Sequence, residues 1–220
     1  MKNLENKKGI IFGATGFLGS NLSIELTKLG AKLILHGKSK DKLYDLEKKI
    51  TYLGTNQTFL QADITKPGFY ENLLQTVSTR FDSLDFLINV LGKFNGLLPL
   101  THLSEKDWNE LIEINITSYW HCLKELEPLL KMSMNPKVIF LTNKNISNGK
   151  PYHNIFSICK AAINSMSKVY SEENKKLKIK VHLIDIKSMN IGMTSKISSK
   201  KSINKKEIKK ITENVIKNIV

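Results

Sequence analysis

The chain has 220 residues, 41% hydrophobic and 25% charged, with 12 Gly, 5 Pro, 2 Cys and a formal net charge of +14. The length suits one domain that buries about 70% of its unfolded surface. The composition excludes collagen-like, disulfide-scaffold and wholly disordered classes. No apolar run approaches the roughly 20 residues that span a bilayer, and the polar opening Met1-Lys2-Asn3-Leu4-Glu5-Asn6-Lys7-Lys8 does not read as a signal peptide. Cys122 and Cys159 lack metal-ligand spacing and form no disulfide framework. A single cytoplasmic domain over 1–220, without a metal, is expected.

Arg80 is the only arginine, so 33 of the 34 basic residues are lysine. Arginine supplies the bidentate contacts that phosphate and base recognition favour. Residues 175–220 hold 13 Lys against Asp185, Glu207 and Glu213, so +10 of the net +14 lies there. That region (a basic loop and an amphipathic helix over 196–220) reads first as a solubilised helix with a lysine-rich outer face. Its alternative is a polyanion-binding end; nucleic-acid and membrane partners are not expected.

Short apolar runs alternate with helical spacing along the chain. The pattern predicts a strand at Gly9–Gly13, a helix over 17–29, a strand at Lys32–His36 and a charged helix from Lys40 to Leu53. A third strand follows at Thr58–Ala62, then a helix over Tyr70–Arg80 and a fourth strand at Leu84–Val90. Ser104-Glu105-Lys106-Asp107 reads as a capping box opening one helix to Lys131, before a fifth strand at Lys137–Thr142. A helix over Asn154–Asn174, a sixth strand at Ile179–Ile186, a Ser/Lys-rich loop over 187–203 and a helix over 204–220 complete the chain. Strands apolar almost throughout and separated by helices are parallel and buried on both faces. The fold class is therefore α/β, a Rossmann-type doubly wound parallel sheet of about six strands with helices on both faces, whose ligand sits beyond the carboxyl ends of the strands.

Gly13-Ala14-Thr15-Gly16-Phe17-Leu18-Gly19 lies between the first strand and first helix. Glycines there permit a tight turn and close approach to a pyrophosphate, and the helix N-terminus supplies N–H donors and positive potential. At the end of the second strand an NAD site would place an acid for the adenosine 2′-hydroxyl. This chain reads His36-Gly37-Lys38-Ser39-Lys40, so NADP(H) is expected in preference to NAD(H), with Lys38 and Ser39 beside the 2′-phosphate.

In this order the motifs resemble the short-chain dehydrogenase/reductase family over residues 7–195. The resemblance implies that Gly13, Thr15, Gly16, Phe17, Leu18 and Gly19 bind cofactor. Asp63 and the adjoining Ile64, in Ala62-Asp63-Ile64-Thr65, match the family's adenine-contacting acid, and Asn89-Val90-Leu91-Gly92 stands for its Asn-Asn-Ala-Gly turn over the ribose. Asn115 matches the helix asparagine that holds a water in the family's proton relay.

The family's catalytic core is Tyr-x-x-x-Lys with a serine about thirteen residues earlier. The tyrosine gives a proton to a carbonyl oxygen, the lysine holds the nicotinamide ribose, and the i, i+4 spacing puts both on one helix face. Here the segment is Phe156-Ser157-Ile158-Cys159-Lys160, and the serine position is Asn143. Lys160 is present, but a phenyl ring has no proton to give. Tyr152 and His153, just before Phe156, are candidate replacement donors. After the sixth strand the family's Pro-Gly is absent, although Thr194 matches the threonine that contacts the carboxamide. Cys159 reads as a packing residue.

The leading expectation is an NADP(H)-binding oxidoreductase acting between nicotinamide and a carbonyl or alcohol, with catalysis weakened or rerouted. Hydride addition to an activated double bond stays open as one such route. The alternatives are a catalytically inactive scaffold of the same fold and a polyanion binder. A homodimer through the long helices (104–131 and 154–174) is compatible with the pattern. Specificity is expected from the loops near Phe94–Pro99 and after the sixth strand.

Overall fold

The computed structural model describes residues 3–186 and 205–220. Six strands, β1 (Lys8–Phe12), β2 (Lys32–Gly37), β3 (Thr58–Gln61), β4 (Phe86–Asn89), β5 (Lys137–Thr142) and β6 (Lys180–Asp185), form one sheet in the order β3-β2-β1-β4-β5-β6. Every adjacent pair is parallel. This is the doubly wound sheet that the alternating pattern predicts. The chain winds outward from β1 through β2 to β3, then restarts on the other side at β4. That reversal opens a crevice between β1 and β4.

Consecutive residues of β1 divide the core. Ile10 and Phe12 enter an apolar cluster with Tyr119, Cys122, Leu126, Val138, Phe140 and Ile163. Ile11 points the other way, toward Leu22, Leu26, Leu35, Leu46, Ile139, Leu141 and Val215. A period-2 strand with both faces apolar must be covered twice. The first layer holds α3 (Leu73–Ser78), α5 (Ser118–Lys131) and α7 (Asn154–Glu173); the second holds α1 (Phe17–Lys28), α2 (Lys40–Thr51) and α8 (Lys205–Ile219).

The helix expected from Ser104 to Lys131 is interrupted. Ser104 caps α4 (Glu105–Ile112), its side chain accepting from the Asp107 N–H as the capping pattern requires. A π-type turn then occupies Glu113–Thr117 before α5 begins. Such a turn carries one extra residue, which spacing alone does not register. A four-residue helix, α6 (Lys144–Ser147), and a 3-10 turn (Leu100–His102) also went unforeseen. Among the described residues no helix is long and apolar enough to cross a membrane.

The lysine-rich C-terminal helix α8 is anchored by its apolar stripe, with Ile208, Val215 and Ile219 buried in the second core layer. Lys209 and Lys210 lie exposed beside that stripe. Ile208→Ala should lower stability by about 2–4 kcal/mol through the cavity it leaves. Lys209→Ala should stay within about 0.5 kcal/mol. Urea unfolding checks both, and equal small effects would show that α8 is not part of the cooperative core.

Candidate functional site

The site is built from strand ends. Phe12 pairs with His36 and with Asn89, and Asn89 pairs with Phe140, so β1 and β4 end together while β2 runs one residue and β5 two residues further. The segments that follow them therefore open on one edge of the sheet.

The first of these is the glycine turn. Gly13 adopts φ +80°, a left-handed conformation that glycine takes without steric cost. Gly19, in the first turn of α1, has no such angle but no room: a Cβ there would lie 2.2 Å from the Gly13 carbonyl oxygen. Helix and strand end thus meet backbone to backbone. The α1 N-terminus begins at Gly16 with no side-chain cap and no acidic residue in its first turn. Among the described residues no side chain caps its terminal N–H groups or meets their positive potential.

The turn forms one wall of a cavity of about 480 Å³. Of the residues singled out from sequence, Gly13, Thr15, Gly16, Phe17, Leu18, Gly19, Val90, Gly92, Asn143, Phe156 and Lys160 line it together. Leu91, from the same turn as Val90 and Gly92, lines it too, with Lys42, Tyr119, Leu141, Ile146 and Ile186, five residues that the sequence motifs do not single out. Lys42, in the first turn of α2, was hidden among neighbouring lysines. Tyr119 could have been read from its helical register with Asn115.

Asn89 and Asn115 support this wall from behind. The Asn89 side-chain oxygen accepts the Leu91 N–H at 2.9 Å, which shapes the turn after β4. Asn115, in the π turn, accepts the Lys93 N–H at 3.0 Å and donates to the Lys93 and Leu111 carbonyls at 3.0 and 2.8 Å. Both faces of its amide hold the 91–95 loop to the helix. Tyr119 donates to the Leu91 carbonyl at 2.9 Å from the same side.

Lys38, Ser39, Asp63 and Ile64 lie outside the cavity wall. Ser39 caps α2, its hydroxyl accepting from the Lys42 N–H, and Ile64 is buried in the core. Lys38 forms an ion pair with Asp63 at 2.8 Å. Partial burial raises the Asp63 pKa, but hydrogen bonds from Lys38 and Thr65 outweigh it and hold the carboxyl below its usual value. The two residues read separately from sequence are thus one paired unit. Thr194 lies outside the described residues.

At the far end of the cavity, Phe156 is buried with Phe94 and Ile146, its ring 5.1 Å from that of Phe94. Asn143 caps α6, its side-chain oxygen accepting the Ile146 N–H at 3.3 Å. Lys160 lies one turn beyond Phe156, with its ammonium 5.3 Å from the Phe156 ring centre. The ammonium donates to the Leu141 carbonyl at 3.4 Å. Burial draws its pKa down to about 8, against a small opposing effect of Cys159. Burial pushes the Cys159 thiol up to about 11, as expected of an inert packing residue.

The replacement donors do not reach this space. Tyr152 is 62% exposed at φ +63°. His153 stacks on Phe94 at 5.7 Å, with Nδ1 2.9 Å from the Pro151 carbonyl. Neither side chain lines the cavity. The chain leaves the preceding loop in a left-handed turn that directs Tyr152 outward.

The sequence pattern described as short chain dehydrogenase matches residues 7–202. The chain belongs to this family of oxidoreductases. The 3-oxoacyl-(acyl-carrier-protein) reductase FabG of Staphylococcus epidermidis is 24% identical over 169 residues, covering 76% of this chain and 69% of that protein. A short chain dehydrogenase from Salmonella enterica serovar Typhi superposes with a TM-score of 0.92 at 17% identity, covering 100% of this chain and 92% of that one. A putative short chain dehydrogenase from Escherichia coli CFT073, solved in complex with NADPH, superposes with a TM-score of 0.91 at 19% identity, covering 100% and 93%.

One titrating group is built into the end of β2. His36 is buried, and its Nε2–H donates to the Ala62 carbonyl at 3.0 Å, while Nδ1 has no partner among the described residues. Burial lowers its pKa to about 4, despite that hydrogen bond and the charge of Asp63. An unfolded histidine titrates near 6.5, so the unfolded state binds more protons between pH 6.5 and 4, and stability falls as pH drops through that window. Between pH 7 and 4.5 the native chain should lose about 2 kcal/mol more than His36→Gln. Urea midpoints at the two pH values test this, and parallel losses would show His36 to be uncoupled.

Proposed function

We propose that the protein binds NADP(H) along the β1–β4 crevice and is an oxidoreductase for a small carbonyl or alcohol substrate, working through a weakened acid–base apparatus. The observation that carries this reading is the shared cavity. The uncapped amino end of α1, the Val90–Gly92 turn and Lys160 face one space. The residues fit the group: Gly13, Gly16 and Gly19 line the cavity without side chains, and the terminal N–H groups suit its charge. NADP(H), when bound, supplies hydride donation and acceptance. The α1 amides would hold the diphosphate, and Lys160 would donate to ribose hydroxyls.

Two features support the phosphorylated cofactor. The His36-Gly37-Lys38-Ser39 end of β2 offers no carboxylate to a 2′-hydroxyl. Lys42 reaches the cavity wall, whereas Lys38 is shared with Asp63. The NADPH complex of the E. coli relative agrees with this preference.

Proton supply is the weak point. General acid catalysis is worth roughly 10²–10⁴-fold, and Phe156 supplies none. Asn143 can still donate to a carbonyl oxygen. A second reading, a cofactor-binding scaffold without turnover, is favoured by the packing of Phe156 into an apolar cluster with Phe94 and Ile146. Exposed Trp120 on α5 and Ile158 and Val169 on α7 support a homodimer through these helices.

NADPH fluorescence should titrate saturably, with tighter binding than NADH. Lys42→Ala should weaken NADPH about tenfold, the value of one charged hydrogen bond, and leave NADH nearly unchanged. Tighter NADH would overturn the preference, and no saturable binding would overturn the cofactor reading.

The double change Phe156→Tyr with Asn143→Ser should raise single-turnover carbonyl reduction more than tenfold. Serine keeps the cap of α6, so folding should survive. No gain would mean that the proton route lies elsewhere.

A further inference from the structure

Lys160 and Lys137 are both buried, only 4% and 5% exposed, but Lys160 belongs to the wall of a cavity that opens to solvent and Lys137 does not. The wall there is mostly apolar, with Leu91, Leu141, Ile146 and Phe156 beside the single amide of Asn143. Among the described residues the one hydrogen bond of Lys160, to the Leu141 carbonyl, is long at 3.4 Å. With phenylalanine at position 156, the nearest ring offers a π face and no hydroxyl.

The charged and titratable neighbours are few. Cys159 adjoins it on α7, and Lys42 and Tyr119 are the other titratable residues of the wall. Among the described residues no carboxylate lines the cavity. An ammonium so placed gains little from ion pairing and loses hydration. A buried lysine of this kind gives up its proton readily and becomes a nucleophile.

We propose that Lys160 is an imine-forming amine, whose side-chain nitrogen condenses reversibly with apolar aldehydes that enter the cavity. The nitrogen lone pair forms the N–C bond as the carbonyl π pair moves to oxygen, and one proton passes from nitrogen to that oxygen, giving a carbinolamine. Loss of water then leaves a C=N bond, so one aldehyde and one amine yield one imine and one water. The aldehyde's alkyl chain rests on Phe156 and Ile146. No redox partner is required, and the proposal stands on the cavity itself, not on the cofactor reading.

With its pKa near 8, about one Lys160 side chain in ten is neutral at pH 7, against about one in three thousand for an ordinary lysine. The test uses the full chain at pH 7 with hexanal and cyanoborohydride, which reduces any imine to a stable secondary amine, followed by peptide mass mapping. Lys160 should be alkylated at least tenfold faster than the median lysine, and the excess should vanish in denaturing urea. Labelling of Lys160 no faster than that of exposed lysines, or an excess that persists in urea, would overturn the proposal. Added NADPH separates the two readings: protection of Lys160 supports a shared cavity. Rapid labelling that NADPH leaves unchanged would keep the imine site and count against cofactor binding there.

Discussion

The closeness of Gly19 to the Gly13 carbonyl organises this molecule. With a Cβ at position 19 lying 2.2 Å from that oxygen, any other residue would push the amino end of α1 away from β1. Overpacking of this kind commonly costs 1–3 kcal/mol, and here it would displace an entire helix axis. Because the helix is held close, its amino end, uncapped by any described side chain, faces the crevice where the strand order reverses. That end and Lys160 line one cavity.

From this contact the site divides into two halves of different character. The half near α1 is built of glycine backbone and a helix N-terminus. The half near α7 is built of apolar packing around Lys160. Phe156 joins Phe94 and Ile146 in an apolar cluster, Asn143 is engaged in capping α6, and the Lys160 ammonium lies 5.3 Å from the Phe156 ring centre. The ring facing it decides its electrostatics. An ammonium stabilised by a phenol is a charge holder, whereas one facing a phenyl ring is closer to a free amine.

Much of the fold was legible because its determinants are periodic. Strands such as Lys137–Thr142 are buried throughout, and an uninterrupted apolar run states that directly. The break in the long helix was not legible. A π turn at Glu113–Thr117 inserts one residue without altering composition, and the run Ile112-Glu113-Ile114-Asn115-Ile116 still reads as helix. The polar residue within it was the only signal, and its reason is tertiary: Asn115 clamps the backbone of Lys93.

The site was legible where a motif fixes backbone shape, as at Gly13–Gly19, and less so where long side chains choose among partners. Lys38 and Asp63 were separately visible in sequence, but nothing in their spacing announces that they pair. Lys42 was masked by the lysine bias of the whole chain. Tyr152 and His153 were plausible donors by helical spacing, and a left-handed turn at Tyr152 defeats that geometry.

The most direct measurement is a two-dimensional amide NMR spectrum of the chain as NADPH is added. If the nucleotide diphosphate sits on the amino end of the first helix, the amides of Gly16, Phe17, Leu18 and Gly19 will shift most, with those of Leu91 and Gly92 following. Saturable binding that leaves those four amides unmoved would contradict the account at its root.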